Sequence, residues 1–195
     1  MCGIAGIVGN GPVNAAAVEA MADLMVHRGP DDSGLWSADD GRAVFGHRRL
    51  AIIDPTPAGH QPMASADGRL VITYNGEIYN YVELARRLEA EGHVFRSKCD
   101  TEVLLALYER WGEAGFKELN GMFAFAIYDG RAGRLVCARD RFGEKPLLYA
   151  EAAGFFAFAS EYKALLALDG VSSVLDSGRL LTFLNQPRRG LDDAR

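Results

Sequence analysis

No stretch of this 195-residue sequence approaches the roughly 20 apolar residues that cross a bilayer, so a membrane-spanning helix is excluded. Cysteine is scarce. Cys2, Cys99 and Cys137 form no C-x-x-C pair and leave one unpaired, which argues against a secreted disulfide framework and for a reducing, cytoplasmic setting. The four histidines, His27, His47, His60 and His93, have no metal-ligand spacing with one another or with the cysteines, and no protein-bound metal is expected. Net positive charge is also missing: 21 Lys+Arg stand against 26 Asp+Glu, a net charge of −5. The basic pairs Arg48-Arg49, Arg86-Arg87 and Arg188-Arg189 are scattered, with acids close by, so neither nucleic acid nor a membrane surface is expected as partner. The start has no basic region before its short apolar run, unlike a signal peptide. It also lacks the glycine after Met1 that myristoylation needs. Internal repeats and low-complexity segments are absent.

What remains is a globular composition, 49% hydrophobic and 24% charged, long enough to bury a core without staples. Gly3–Val8 reads as a buried strand. Asn14 is placed to cap a helix carrying Val18, Met21, Ala22 and Met25 on one face. Strands are expected over Ala43–Ile53 and Leu70–Tyr74, the second ending at the turn pair Asn75-Gly76. A Pro/Gly-rich loop over 54–59 lies between them. Tyr81, Leu84, Ala85 and Leu88 line a second helix, and Asp100 is placed to cap a third bearing Val103, Leu104, Leu107, Tyr108 and Trp111. Met122–Tyr128, Arg134–Arg139, Leu147–Ala150 and Phe155–Ser160 are strand-like runs joined by turns alone, as antiparallel neighbours are. Met122–Ile127 does not alternate polar with apolar, so that strand needs cover on both faces. Short helices follow over Glu161–Leu168 and Leu180–Leu184. Stacked sheets with helices outside, a layered α+β domain, satisfy these patterns together.

Cys2 is the unusual residue. Removal of Met1 would leave one residue with both a thiol and a terminal amine. An α-amino group with a reference pKa of about 7.7–8.0 can take the thiol proton without any histidine. The other fate of a free cysteine is a small buried apolar residue. By themselves, Arg49 equally suits a surface strand, and Asp100 a helix cap. Cys99 and Cys137 read as structural, the latter packed within its strand.

The opening Met1-Cys2-Gly3-Ile4-Ala5-Gly6 resembles that of class II glutamine amidotransferases, the glutaminase domains of the N-terminal-nucleophile hydrolase superfamily. The resemblance continues in order through His27–Asp31, Arg49–Asp54, Gly59–Pro62, Tyr74–Asn80, Asp100–Val103, Gly121–Phe125, Ala138–Gly143 and Ala159–Glu161. Within that class the set is similar to the amino-terminal half of glutamine-hydrolysing asparagine synthetases, over about residues 2–168. It implies a four-layer αββα sandwich of two mainly antiparallel sheets. It implies further that Cys2 opens the side-chain amide of glutamine to a γ-glutamyl thioester, with the Asn75 amide and Gly76 N–H as oxyanion donors. Arg49 would clamp the α-carboxylate, and Asp100 with Glu77 would receive the α-ammonium. ATP and magnesium belong to a synthetase domain whose S-G-G-x-D-S loop is absent from this sequence, so no cofactor is expected on this chain.

The division expected is a glutaminase domain over 2–168, with 169–195 as a linker or the start of a synthetase domain supplied in cis or in trans. A second copy, giving a homodimer, stays open. Glu144, where an aliphatic residue is usual in such sequences, and the stretch from Leu180 leave another carboxylate acceptor in a specialised pathway as the alternative. A non-catalytic scaffold is the alternative if Met1 is retained. Asn75–Asn80 followed by Gly121–Phe125 argues against the transferases that make glucosamine phosphate or the first purine intermediate.

Overall fold

The computed structural model describes residues 1–54 and 56–185. Among the described residues, nine strands make two sheets, and every strand pairing is antiparallel. The first sheet has the order β2 (Asp32–Ser37), β3 (Ala43–Arg49), β1 (Gly3–Gly9), β9 (Phe155–Ala159), β8 (Leu148–Ala152). The second runs β4 (Met63–Ala64), β5 (Leu70–Ile78), β6 (Gly121–Asp129), β7 (Arg134–Arg139). Between them Ile4, Phe45, Val71, Ala124, Ala126 and Phe158 form one apolar layer. Helix α1 (Ala15–Asp23) covers the outer face of the first sheet through Val18 and Met21, joined by α4 (Tyr162–Leu166). Helices α2 (Tyr81–Ala90) and α3 (Asp100–Trp111) cover the second through Leu84, Leu88, Val103, Leu104 and Leu107. The molecule is therefore the expected αββα sandwich. In β6, Phe123, Phe125 and Ile127 face the helices while Ala124 and Ala126 face the other sheet, which is why its sequence does not alternate.

Several elements differ from their expected bounds. The Asn14 side chain does accept from the Ala16 N–H, at 3.0 Å, and caps α1. Asp100, by contrast, is the first residue of α3; Cys99 holds the cap position and no side chain caps it. Strand β3 stops at Arg49, because the Leu50 N–H turns to the Cys2 sulfur, at 3.4 Å. Strand β5 runs through Asn75-Gly76 to Ile78, because pairing with β6 from Leu70↔Asp129 to Ile78↔Gly121 overrides the local turn preference. Cys137 lies on β7 but is exposed. After α4, helix α5 (Ser177–Asn185) is exposed along its length. Of the expected linker over 169–195, residues 186–195 lie outside the described residues, as does Pro55 of the loop.

Candidate active site

Side chains two apart on a strand share a face, and this alternation builds the site. On β5, Val71 lies in the layer between the sheets, so Thr73 and Asn75 point there too. On β3, Phe45 does the same, followed by His47 and Arg49. Cys2, two residues before Ile4, continues the same face just before β1. Cys2, Arg49, Asn75, Gly76, Glu77 and Asp100 all line one cavity of about 300 Å3 at this end of the gap between the sheets. Met1 lines it as well, with its peptide bond still occupying the Cys2 nitrogen.

The Cys2 thiol lies between the Leu50 N–H and the Leu50 carbonyl, 3.4 and 3.7 Å from the sulfur. Burial pushes its pKa up, only partly countered by that N–H, the chain's terminal charge and Arg49. The Cys2 carbonyl accepts from the Arg28 Nε at 2.9 Å. Arg28 is fixed in turn by Glu161, at 3.1 Å, which also meets His27 and Lys163. Burial acts to raise the Glu161 pKa, but the hydrogen bonds from Arg28, His27 and Lys163 prevail and hold it at about 2.

Asn75 is 1% exposed, and its Nδ2 has no partner. A buried donor left unmade costs about 1–3 kcal/mol, so this amide is built for something the chain does not itself provide. At 76 a Cβ would collide with the Met122 carbonyl of the neighbouring strand, so glycine lets β5 and β6 close behind the cavity.

Arg49 is 6% exposed and ends β3. Its Nη1 donates to the Thr56 carbonyl at 3.0 Å and its Nη2 to the Asp54 carbonyl, which pins the guanidinium while leaving other N–H groups free. Gly59 gives it room, since a Cβ there would strike the guanidinium. Asp100 accepts through Oδ2 from the Tyr74 hydroxyl at 2.7 Å and the Ile78 N–H at 3.0 Å. Burial raises its pKa; those two bonds and the N–H groups at the start of α3 offset only part of that. Glu77 borders the cavity, half-buried.

Four further residues carry the arrangement. Gln61 accepts from the Tyr74 N–H at 2.7 Å and donates to Thr101 at 3.3 Å, tying the loop to β5 and α3. Tyr74 and Arg28 orient Asp100 and Cys2, as above. Asp140, 7% exposed, takes the N–H groups of Phe123, Phe142, Glu144 and Lys145 at 2.9–3.2 Å. Burial acts to raise its pKa, and these bonds outweigh it. Gln61, Tyr74, Arg28 and Asp140 all lie in the segments that carry the resemblance, and that was their signal. Without the resemblance, Asp140 reads equally as part of a charged turn in water. Glu144 is exposed and borders no part of the cavity. Among the described residues, no cluster of three or more His, Cys, Asp or Glu is placed to hold a metal, and no helix is long and apolar enough to cross a membrane.

Residues 1–192 match the family model for a glutamine amidotransferase domain. A Mycobacterium tuberculosis protein provisionally named a glutamine-hydrolysing asparagine synthetase is 47% identical over 184 residues, 86% of this chain and 28% of that protein. Asparagine synthetase (glutamine-hydrolysing) 3 of Bacillus subtilis is 41% identical over 181 residues, 90% of this chain and 29% of that one. The chain thus spans under a third of the length of these relatives. Glutamine phosphoribosylpyrophosphate amidotransferase of B. subtilis superimposes with a TM-score of 0.74 at 24% identity, over 85% of this chain and 43% of that one, a likeness of fold.

Proposed function

The chain belongs to the glutamine amidotransferase domain family, in the form carried by asparagine synthetase-like proteins, and from that membership we propose that it hydrolyses glutamine to glutamate and ammonia through Cys2. Met1 is removed first, which frees the Cys2 amine and clears one wall of the cavity. The amine takes the thiol proton while the sulfur attacks the side-chain amide carbon of glutamine. That amide oxygen becomes an oxyanion received by the Asn75 Nδ2 and the Gly76 N–H. As the tetrahedral intermediate collapses, the C–N bond breaks, the ammonium of Cys2 returns its proton to the leaving nitrogen, and the thioester remains. Water, deprotonated by the same amine, then attacks the thioester; glutamate leaves and the thiol is restored.

The recognition of glutamine follows from its charges. Arg49, with free N–H groups on a pinned guanidinium, takes the α-carboxylate. Asp100, whose buried carboxyl is held by the Tyr74 hydroxyl and the Ile78 N–H and by no salt bridge among the described residues, takes the α-ammonium with Glu77 beside it. The ammonia goes to a synthetase domain, in cis or in trans, that activates a carboxylate with ATP and magnesium. Residues 2–168 form the glutaminase and 169 onward leads toward that partner. Exposed apolar side chains on α5 (Leu181 and Leu184) and on the 140–145 loop (Phe142, 89% exposed) suit contact with such a body.

The observation that carries the reading is the buried Asn75 Nδ2 with no partner, in the cavity that holds the Cys2 sulfur. Removing one oxyanion donor typically costs about 2.7–4 kcal/mol, so Asn75→Ala should lower kcat for glutamate release by roughly 100- to 1,000-fold with little change in KM. A variant with unchanged kcat would contradict it.

A further inference from the structure

The two ends of the substrate are held, on the reading above, by different sheets: the α-carboxylate by Arg49 on β3, and the γ-oxygen by Asn75 on β5. Backbone ladders fix spacings within a sheet, but the two sheets meet mainly through apolar side chains, whose contacts are not directional. There is one exception. The His47 Nδ1 lies 3.0 Å from the Thr73 Oγ1, with both side chains 0% exposed. Among the described residues this is the one side-chain hydrogen bond that joins a strand of one sheet to a strand of the other. His47 stands two residues before Arg49 and Thr73 two residues before Asn75, each on the same face as its partner. His47 is also paired with Ile4 of β1, two residues from Cys2. The bond therefore lies one rung beneath the nucleophile, the clamp and the oxyanion donor together.

We propose that the His47–Thr73 pair is a crossbar that sets the distance between Arg49 and Asn75, and with it the length of amino acid the site accepts. The two are positioning residues, acting through Arg49 and Asn75, and the proposal rests on the glutaminase reading. The burial of both groups is consistent with this role. The sheets could meet here through apolar side chains, as they do elsewhere, and a hydrogen bond adds direction where packing alone does not. Without it the gap relaxes, and a substrate fastened at both ends no longer lies in line with the sulfur.

The test compares two reagents that alkylate Cys2 in the intact chain with Met1 removed. Iodoacetamide needs only the sulfur. A diazoketone analogue of glutamine, bearing the α-carboxylate and α-ammonium, needs the span as well. In Thr73→Val, labelling by the diazoketone should slow on the order of tenfold or more while iodoacetamide labelling stays within about twofold, as expected for a misplacement of the bound ligand. Thr73→Ser should restore the wild-type ratio. Equal slowing of both reagents, or slowing of neither, overturns the crossbar. If Thr73→Val does not fold, the same ratio in His47→Gln and Thr73→Ala decides by the same criteria. Failure of the glutaminase reading is seen separately: wild-type chain would release no glutamate from glutamine.

Discussion

Arg49 and His47 share a strand face but make opposite use of charge. A guanidinium pinned by two backbone carbonyls keeps its remaining donors aimed, and a bond to a charged partner is worth about 1.5–3 kcal/mol. Arg49→Ala should therefore raise KM for glutamine by roughly 10- to 100-fold, with a smaller effect on kcat, in steady-state assays. Arg49→Lys should not restore it, since a point charge lacks the planar fork. His47 is kept neutral: burial first, then the charges of Arg49 and His60, lower its pKa from 6.5 to about 3, against a smaller opposing effect of Asp32. The unfolded chain binds a proton at this residue below about 6.5 and the folded chain does not, so stability is full above that pH and drains away as pH falls toward 3. Thermal melts should show Tm falling from pH 6.5 to 4.5 more steeply in wild type than in His47→Gln. Equal slopes would contradict the assignment. At this scale the sequence was informative about which residues gather, since Cys2, Arg49, Asn75, Gly76, Glu77 and Asp100 border one cavity. It was poor at what each bonds to. Nothing local distinguishes Asp100 as a helix cap from Asp100 bonded to Tyr74, because Tyr74 is 26 residues away.

Among the elements, the strands buried on both faces were legible, as were the edge strands β7 and β8, which turns alone join to their neighbours, while the edges β2 and β4 were not. β6 announces itself by an unbroken apolar run, and deleting a ring from it should be expensive: Phe125→Ala, at a 0% exposed site, should destabilise by about 3–5 kcal/mol in chemical denaturation. A loss below about 1 kcal/mol would mean that the helix-facing layer does not depend on this ring. β2 and β4 passed unseen. β2 is an edge strand whose sequence, Asp-Ser-Gly-Leu-Trp-Ser, leaves Leu35 exposed, and β4 has only two residues. The end of β3 was read four residues late because Leu50–Ile53 is apolar. Those residues serve the cavity instead, where Leu50, Ile52 and Ile53 form part of the wall. The reverse happened in β5, where Asn75-Gly76 has turn chemistry but is held in the ladder by β6.

For the molecule as a whole, the αββα arrangement places two sheets face to face and leaves one end of the gap open. Strand β1, which Cys2 directly precedes, runs beside strand β3, which ends in Arg49. That layering could be read from periodicity and connection length, whereas which strand neighbours which could not, since β1 pairs with β9 across most of the chain. The central claim at this scale is that Cys2, once its own nitrogen is free, is the nucleophile of a glutaminase. Its most direct test is glutamate release from glutamine by the wild-type chain and by Cys2→Ala, each shown by intact mass to have lost Met1. The account predicts release by the wild type and none above the uncatalysed background from the variant; equal release by both would contradict it.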